Sequence, residues 1–378
     1  MGGGVAMVNY KGLISTLNKS DENLGLLSMQ ATGTAAILMK EFPDRLKALF
    51  SAEHGFFGTV PSGEITQSAW HPFWNLPIHS LYGDFQKPTD SMLEGLGRIV
   101  IDLCDIGVRC CTYLATMKNM LESCASAGIP VTILDREIPM GNVLDGPMLK
   151  RGYESFVAPV NVPFCHSMTP AECALWIRNA ESLDLDLTIV KLRNWSHFSH
   201  DPWPNFVPLS PDIRTWDSAT CYPMTVFTEA FPAIDSDRDG PMAFRVIGAP
   251  WLDMPGLIDD LRGPLETCGI EMRPYRYSPK GGHYAGFNLN GILFSISRPI
   301  GYYPVTAGVL ILTAIIQRHG AKVLAGSNPG LLDNIFGSSD VTDILKGGDI
   351  DLGDIFQSWI DGQDEYLKTK VDLYVSDI

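Results

Sequence analysis

The 378-residue sequence lacks the features that mark several large classes of protein. No apolar run approaches the ~20 residues that span a bilayer; the longest candidate is AGVLILTAII at 307–316. The start, MGGGVAMVNYKG, has neither the basic opening nor the apolar core of a secretory leader. That gives the expectation of a cytoplasmic protein, with an exported mature form left open. Positive charge is scarce, with 28 Lys+Arg against 43 Asp+Glu and a net charge of −15. This balance argues against nucleic acid and against insertion into or binding to anionic membranes. None of the eight cysteines forms a CxxC pair, so neither a zinc knuckle nor a thioredoxin-like motif is indicated. Cys104 in VIDLCDIG and Cys173 in AECALW lie in apolar contexts, where a reduced cysteine packs as a small hydrophobe.

Cofactor and metal signatures are missing as well. SMQATGTAA, after the first strand candidate, lacks the GxGxxG that lets backbone approach a pyrophosphate. There is no GxxxxGK[ST] loop and no GxSxG elbow. His197 and His200 in HFSH have no third clustered ligand. The run IDSDRDG at 234–240 resembles a calcium loop, but position twelve counted from Asp235 is Val246 rather than a bidentate Glu. The sequence therefore predicts no cofactor and no metal.

What is present reads as α/β. An apolar fraction of 45% with 19% charge is ordinary for a globular chain, and the length suggests two domains. Nearly continuous apolar segments, LGLLSM at 24–29, LKALFS at 46–51, RIVIDLCDIG at 98–107, PVTILD at 130–135 and LDLTIVKL at 185–192, alternate with helical patterns. Strands apolar throughout imply a parallel sheet covered on both faces, hence a doubly wound domain. TPAECALWIRNAE at 169–181 opens with Thr169, Pro170 and Glu172, the signature of a capping box. The Pro-, Trp- and His-rich stretch 195–215 reads as an ordered linker or active-site loop. Beyond it the looser pattern suggests a smaller α+β domain, giving 1–215 and 216–378 as the division.

Ligands of an open parallel sheet bind outside the carboxyl ends of its strands, where this sequence puts Glu53 and His54, then Asp105 and Arg109, then Asp135 and Arg136. Each has a structural alternative. Asp105 could cap a turn, Asp135 and Arg136 could form a rim ion pair, and His54 could hold a backbone carbonyl. Glu53, in LKALFSAEHGFFG, invites a functional reading, because desolvation by Phe56 and Phe57 would raise its pKa as a general acid requires. Glu64 is a further loop acid. Glu172 already has a capping role, and His166 lies on the same loop as the cap.

LFSAEHGFFG, SLYGDFQKPTDSML, IDLCDIGVRCCTYLATM, ILDREIPMG, SFVAPVNVPFCHSMTPAE and VIGAPWLD occur in that order. Together they resemble the exo-β-N-acetylmuramidase (NamZ-type) family from about residue 10 to the end. The resemblance implies a Rossmann-like N-terminal domain, a smaller C-terminal one and a cleft between them. It also implies hydrolysis of terminal N-acetylmuramic acid from the non-reducing end of peptidoglycan fragments, with Glu53 as the catalytic acid. Carried over residue by residue, it adds Tyr82, Asp105, Arg109, Tyr113, Asp135, Arg136, His166, Thr169, Glu172, Glu229 and Arg238. The sequence departs from the family at Cys104, at Cys110 and Cys111, at Glu137-Ile138, and between Asp235 and Gly240.

Glycoside cleavage normally takes two carboxyl groups. The expectation is Glu53 with Glu172 or Glu64, and one or two of Arg109, Arg136 and Arg238 on the lactyl carboxylate of muramic acid. The partner is then a small amino sugar or muropeptide, and a homodimer stays open. The rivals are a non-catalytic muropeptide binder and a hydrolase of a different amino sugar.

Overall fold

The computed structural model describes residues 7–198, 206–346 and 351–374. In chain order its strands are β1 (Leu24–Ser28), β2 (Leu46–Ser51), β3 (Ala69–Trp70), β4 (Pro77–Ser80), β5 (Arg98–Asp102), β6 (Val131–Leu134), β7 (Leu144–Asp145), β8 (Cys165–His166), β9 (Leu187–Val190), β10 (Val246–Ala249), β11 (Ile270–Tyr277) and β12 (Leu289–Ile296). One seven-stranded sheet has the order β3-β4-β2-β1-β5-β6-β9. Its strands pair parallel except β3, which runs antiparallel to β4 at the edge. The α/β expectation therefore holds, and the mixed edge is a correction to a wholly parallel sheet. Residues 69–80 are too short and too polar to announce strands. Strands β1 and β6 are buried at every position, which is why they read as unbroken apolar runs.

The second sheet, β10-β12-β11, is antiparallel and packs with the helices Trp216–Thr225, Met254–Thr267 and Pro304–His319. The largest core cluster joins the two halves, since Val108, Phe164 and Cys165 pack with Phe227, Val305 and Phe336. Polar staples reinforce the joint. Asp145 accepts from the backbone N–H groups of Val305 and Thr306 at 2.7 and 3.0 Å, capping the Pro304–His319 helix where its orphan donors need a partner. The C-terminal helix Leu352–Leu367 returns to the first half, and Tyr366 donates to the His166 carbonyl at 2.8 Å. All eight cysteines are unpaired, and Cys111 alone among them is partly exposed. Among the described residues no helix is long and apolar enough to cross a membrane.

Candidate active site

Strand β2 ends in a compact double turn rather than a plain loop. His54 and Gly55 both adopt left-handed backbone, with φ of 70° and 73°. A Cβ at Gly55 would sit 2.9 Å from Thr66 Cγ2, so glycine there meets both a conformational and a spatial need. The His54 ring closes the turn through Nδ1 and the Val60 carbonyl at 2.8 Å, as one alternative anticipated. The turn aims Glu53 into a cavity of about 280 Å³, whose other walls come from the N-terminus of the helix Thr112–Ala127, from residues 209–213 and from the second half of the chain.

Glu53 is 6% exposed. Its Oε1 accepts from the Gly63 N–H at 2.8 Å and its Oε2 from the Thr112 hydroxyl at 2.6 Å. Phe56 and Phe57 do not enclose it. Phe56 is buried in the core cluster with Leu13 and Leu26, and Phe57 is 42% exposed. The apolar surroundings come instead from Ile106, Tyr113, Leu209, Ile213 and Phe244. The Tyr82 phenol lies beside the carboxylate, and its pKa is pushed up to about 12 by burial and by the charges of Glu53 and Glu229. Glu229 faces the same cavity from the second half of the chain. Burial raises its carboxyl above the usual range, opposed by Arg238 and reinforced by Glu53. Arg238 reaches Asp212 at 3.0 Å and Glu229 at 3.6 Å.

Glu53, His54, Tyr82, Tyr113, Glu229 and Arg238 are thus gathered around one cavity. Other candidates lie elsewhere. Asp105 caps the turn at Gly107, whose N–H it accepts at 2.7 Å; burial pushes its pKa up to about 6. With Arg136 and Glu137 it lines a neighbouring cavity of about 380 Å³. Arg136 is engaged by both oxygens of Asp102, at 2.5 and 2.8 Å, rather than by Asp135. Arg109 is fully buried and donates to the carbonyls of Pro147, Val162 and Phe336. Neither arginine can therefore meet a ligand carboxylate in the Glu53 cavity.

Asp135, His166, Thr169 and Glu172 form a buried group beneath the C-terminal segment. Asp135 accepts from Thr169 Oγ1 and the Ala171 N–H, each at 2.9 Å, and from the Tyr374 hydroxyl. Glu172 closes the capping box on the Thr169 N–H at 2.8 Å and accepts from the Leu373 N–H at 2.7 Å. With no exposed surface, it cannot serve as the second carboxylate. Burial pushes the pKa of His166 down to about 3. Glu64 is exposed on its loop, outside the cavity.

Glu172, His197 and Asp372 bring ligand-type atoms within 4.8 Å of one another. Those of Glu172 are already taken by backbone N–H groups and His197, and the group pins the C-terminal segment; His200 lies outside the described residues. Thr112, Asp212 and Tyr222 line the Glu53 cavity and were not singled out from sequence. The signals available were a helix N-terminus for Thr112 and the candidate active-site loop for Asp212.

Comparison with known proteins follows the same outline. The family described as Exo-beta-N-acetylmuramidase NamZ, N-terminal, matches residues 23–217, and its C-terminal counterpart matches residues 220–375. The chain is similar to the peptidoglycan beta-N-acetylmuramidase NamZ of Bacillus subtilis (strain 168), at 32% identity over 283 residues, 74% of this chain and 68% of that protein. Its fold is similar to that of a DUF1343 family protein from Bacteroides fragilis, with a TM-score of 0.88 and 24% identity over 98% of this chain and 99% of the other. A second such protein from that organism gives a TM-score of 0.75 and 21% identity over 97% and 98%.

Proposed function

The chain belongs to the exo-beta-N-acetylmuramidase NamZ family and is a glycosidase, and from that premise we propose that it releases terminal N-acetylmuramic acid, or a close amino-sugar relative, from the non-reducing end of peptidoglycan fragments. Residues 1–215 supply the proton donor and residues 216–378 complete the cleft. The observation that carries this reading is Glu53, nearly withdrawn from water in a cavity that a second carboxyl, Glu229, shares from the other half of the chain.

Two carboxyls that border one sugar are the minimum that glycoside cleavage requires. Glu53 gives its proton to the leaving oxygen. Thr112 suits that change of state, because a hydroxyl donates to a carboxylate and turns to accept from a carboxyl. Glu229 replaces Glu172 and Glu64 as the second carboxyl, standing against the developing positive charge or orienting the substrate's N-acetyl group. Of the three arginines that sequence offered for the lactyl carboxylate, Arg238 is the one that lines the cavity. Its planar fork can take a third oxygen while it holds Asp212 and Glu229.

Incubation with a peptide-free glycan that ends in muramic acid, followed by mass spectrometry of the products, tests the proposal. Release of one free N-acetylmuramic acid per non-reducing end is expected. Release of a different terminal amino sugar would move the substrate, and tight binding without release would favour a muropeptide binder.

A further inference from the structure

A terminal sugar held in the Glu53 cavity leaves the remainder of its chain outside, and that remainder must cross one of the surfaces at the mouth. Two surfaces meet there. One is a shallow depression of about 380 Å³ that shares Ser62, Asp212, Glu229 and Arg238 with the cavity and adds Asp235 and Asp239. Its arginine is already paired, so it presents net negative charge. The other is the segment 57–86, which gives Ser62, Gly63 and Tyr82 to the cavity wall and continues into the β3–β4 ribbon.

That second surface differs from the rest of the molecule. Between Glu64 and Lys87 only Asp84 is charged, in a chain of net charge −15. Burial pushes the pKa values of His71 and His79 down, which favours their uncharged forms. Large rings nevertheless stand in solvent: Trp70 is 65% and Phe73 87% exposed. Phe73 belongs to a ring cluster in which His71 stacks on Trp74 at 3.9 Å, with Phe57 and Phe73 at 5.8 and 6.2 Å from His71, and Trp70 directly precedes that histidine on β3. The ribbon starts at the cavity wall, where the Thr66 N–H donates to the Tyr82 carbonyl at 2.9 Å, and Trp70 lies four residues on, ~13 Å along an extended strand. Exposed apolar rings grouped beside a cleft mark a binding surface.

We propose that the uncharged aromatic surface of the segment 57–86, with its exposed rings Phe57, Trp70 and Phe73, holds the glycan chain that extends from a sugar bound in the cavity, an inference that rests on the function proposed above. Every muramic acid unit carries a carboxylate, so the chain is anionic. The acidic depression repels it, whereas the aromatic face offers ring surfaces for the C–H faces of pyranoses with no like charge to overcome.

Peptide-free glycan chains are the probe, read by calorimetry and by turnover beside a chromogenic muramic-acid glycoside that has no chain. In Trp70→Ala and in Phe73→Ala, affinity for chains should weaken about five- to tenfold, the order of one lost aromatic contact. KM for chains should rise in step, while kcat/KM for the chromogenic glycoside stays within about twofold of wild type, and Trp70→Phe should keep most of the chain affinity. Unchanged chain affinity in both alanine variants overturns the proposal. So does intact chain affinity in a Trp70→Ala variant that sediments as a smaller species than wild type, which would give the face to a second copy of the chain. Chains that bind through Trp70 but are never cleaved would uphold the face and overturn the exo-hydrolase reading of the cavity instead.

Discussion

The Thr112 hydroxyl lies 2.6 Å from Glu53 Oε2, joining the first residue of one helix to the turn that closes β2. A hydrogen bond to a charged group is worth about 1.5–3 kcal/mol. Thr112→Val keeps the shape and removes the hydroxyl. Its kcat on a muramic-acid glycoside should fall roughly tenfold or more with KM within about twofold, since the bond serves the proton donor rather than the sugar. Steady-state kinetics decides this, and an unchanged kcat would detach Thr112 from the chemistry.

Arg238 should discriminate between sugars. Arg238→Met is expected to raise KM for a muramic-acid glycoside by about tenfold while changing KM for the matching N-acetylglucosamine glycoside, which has no lactyl carboxylate, far less. Equal losses on both sugars would reduce Arg238 to holding Asp212 and Glu229 in place.

Arg109 should behave as a structural residue. Its guanidinium ties Pro147 and Val162 to Phe336 across the two halves, and its removal leaves buried carbonyls without donors. Arg109→Met should cost about 3 kcal/mol of unfolding free energy, measured by urea denaturation, with KM of the remaining folded enzyme unchanged. A stable variant with a raised KM would return Arg109 to the substrate.

Asp135 supplies a pH signature. Burial raises its pKa from 3.8 to about 7, so between those values the folded protein holds a proton that the unfolded chain has released. Stability contributed by this group therefore falls as pH rises through that window and levels off above it. Urea midpoints for wild type and Asp135→Asn should show the wild-type lead shrinking between pH 5 and pH 7 by about 1 kcal/mol per unit. A constant difference across that range would place the native pKa outside it.

Much of the frame could be read from the sequence because burial on both faces writes itself as unbroken apolar runs. LKALFS at 46–51 coincides with β2, and Thr169, Pro170 and Glu172 form the capping box their spacing announced. The site was legible in part. Glu53 and His54 follow the end of an apolar run, so position along the strand located them, whereas Tyr82 follows a strand too short to announce itself and came only with the family resemblance. Side-chain direction is not encoded that way. Asp135 and Glu172 also sit at the rim yet turn beneath the C-terminal segment, whose Leu373 and Tyr374 are some two hundred residues away in the chain. Arg109 reads as a free cation, and Arg136 as free or paired with Asp135, until Phe336 and Asp102 appear as their partners. Glu229 needed no motif to be placed opposite Glu53, only the packing of two halves whose shared core no local pattern reveals.

The most direct test of the account is turnover of a chromogenic muramic-acid glycoside by Glu53→Gln, with its fold checked by circular dichroism and its affinity for N-acetylmuramic acid by calorimetry. The amide keeps the shape and the Gly63 contact but has no proton to give. The expected result is a fall in kcat of roughly 10²-fold or more with binding retained; a correctly folded variant that turns over at the wild-type rate would contradict it.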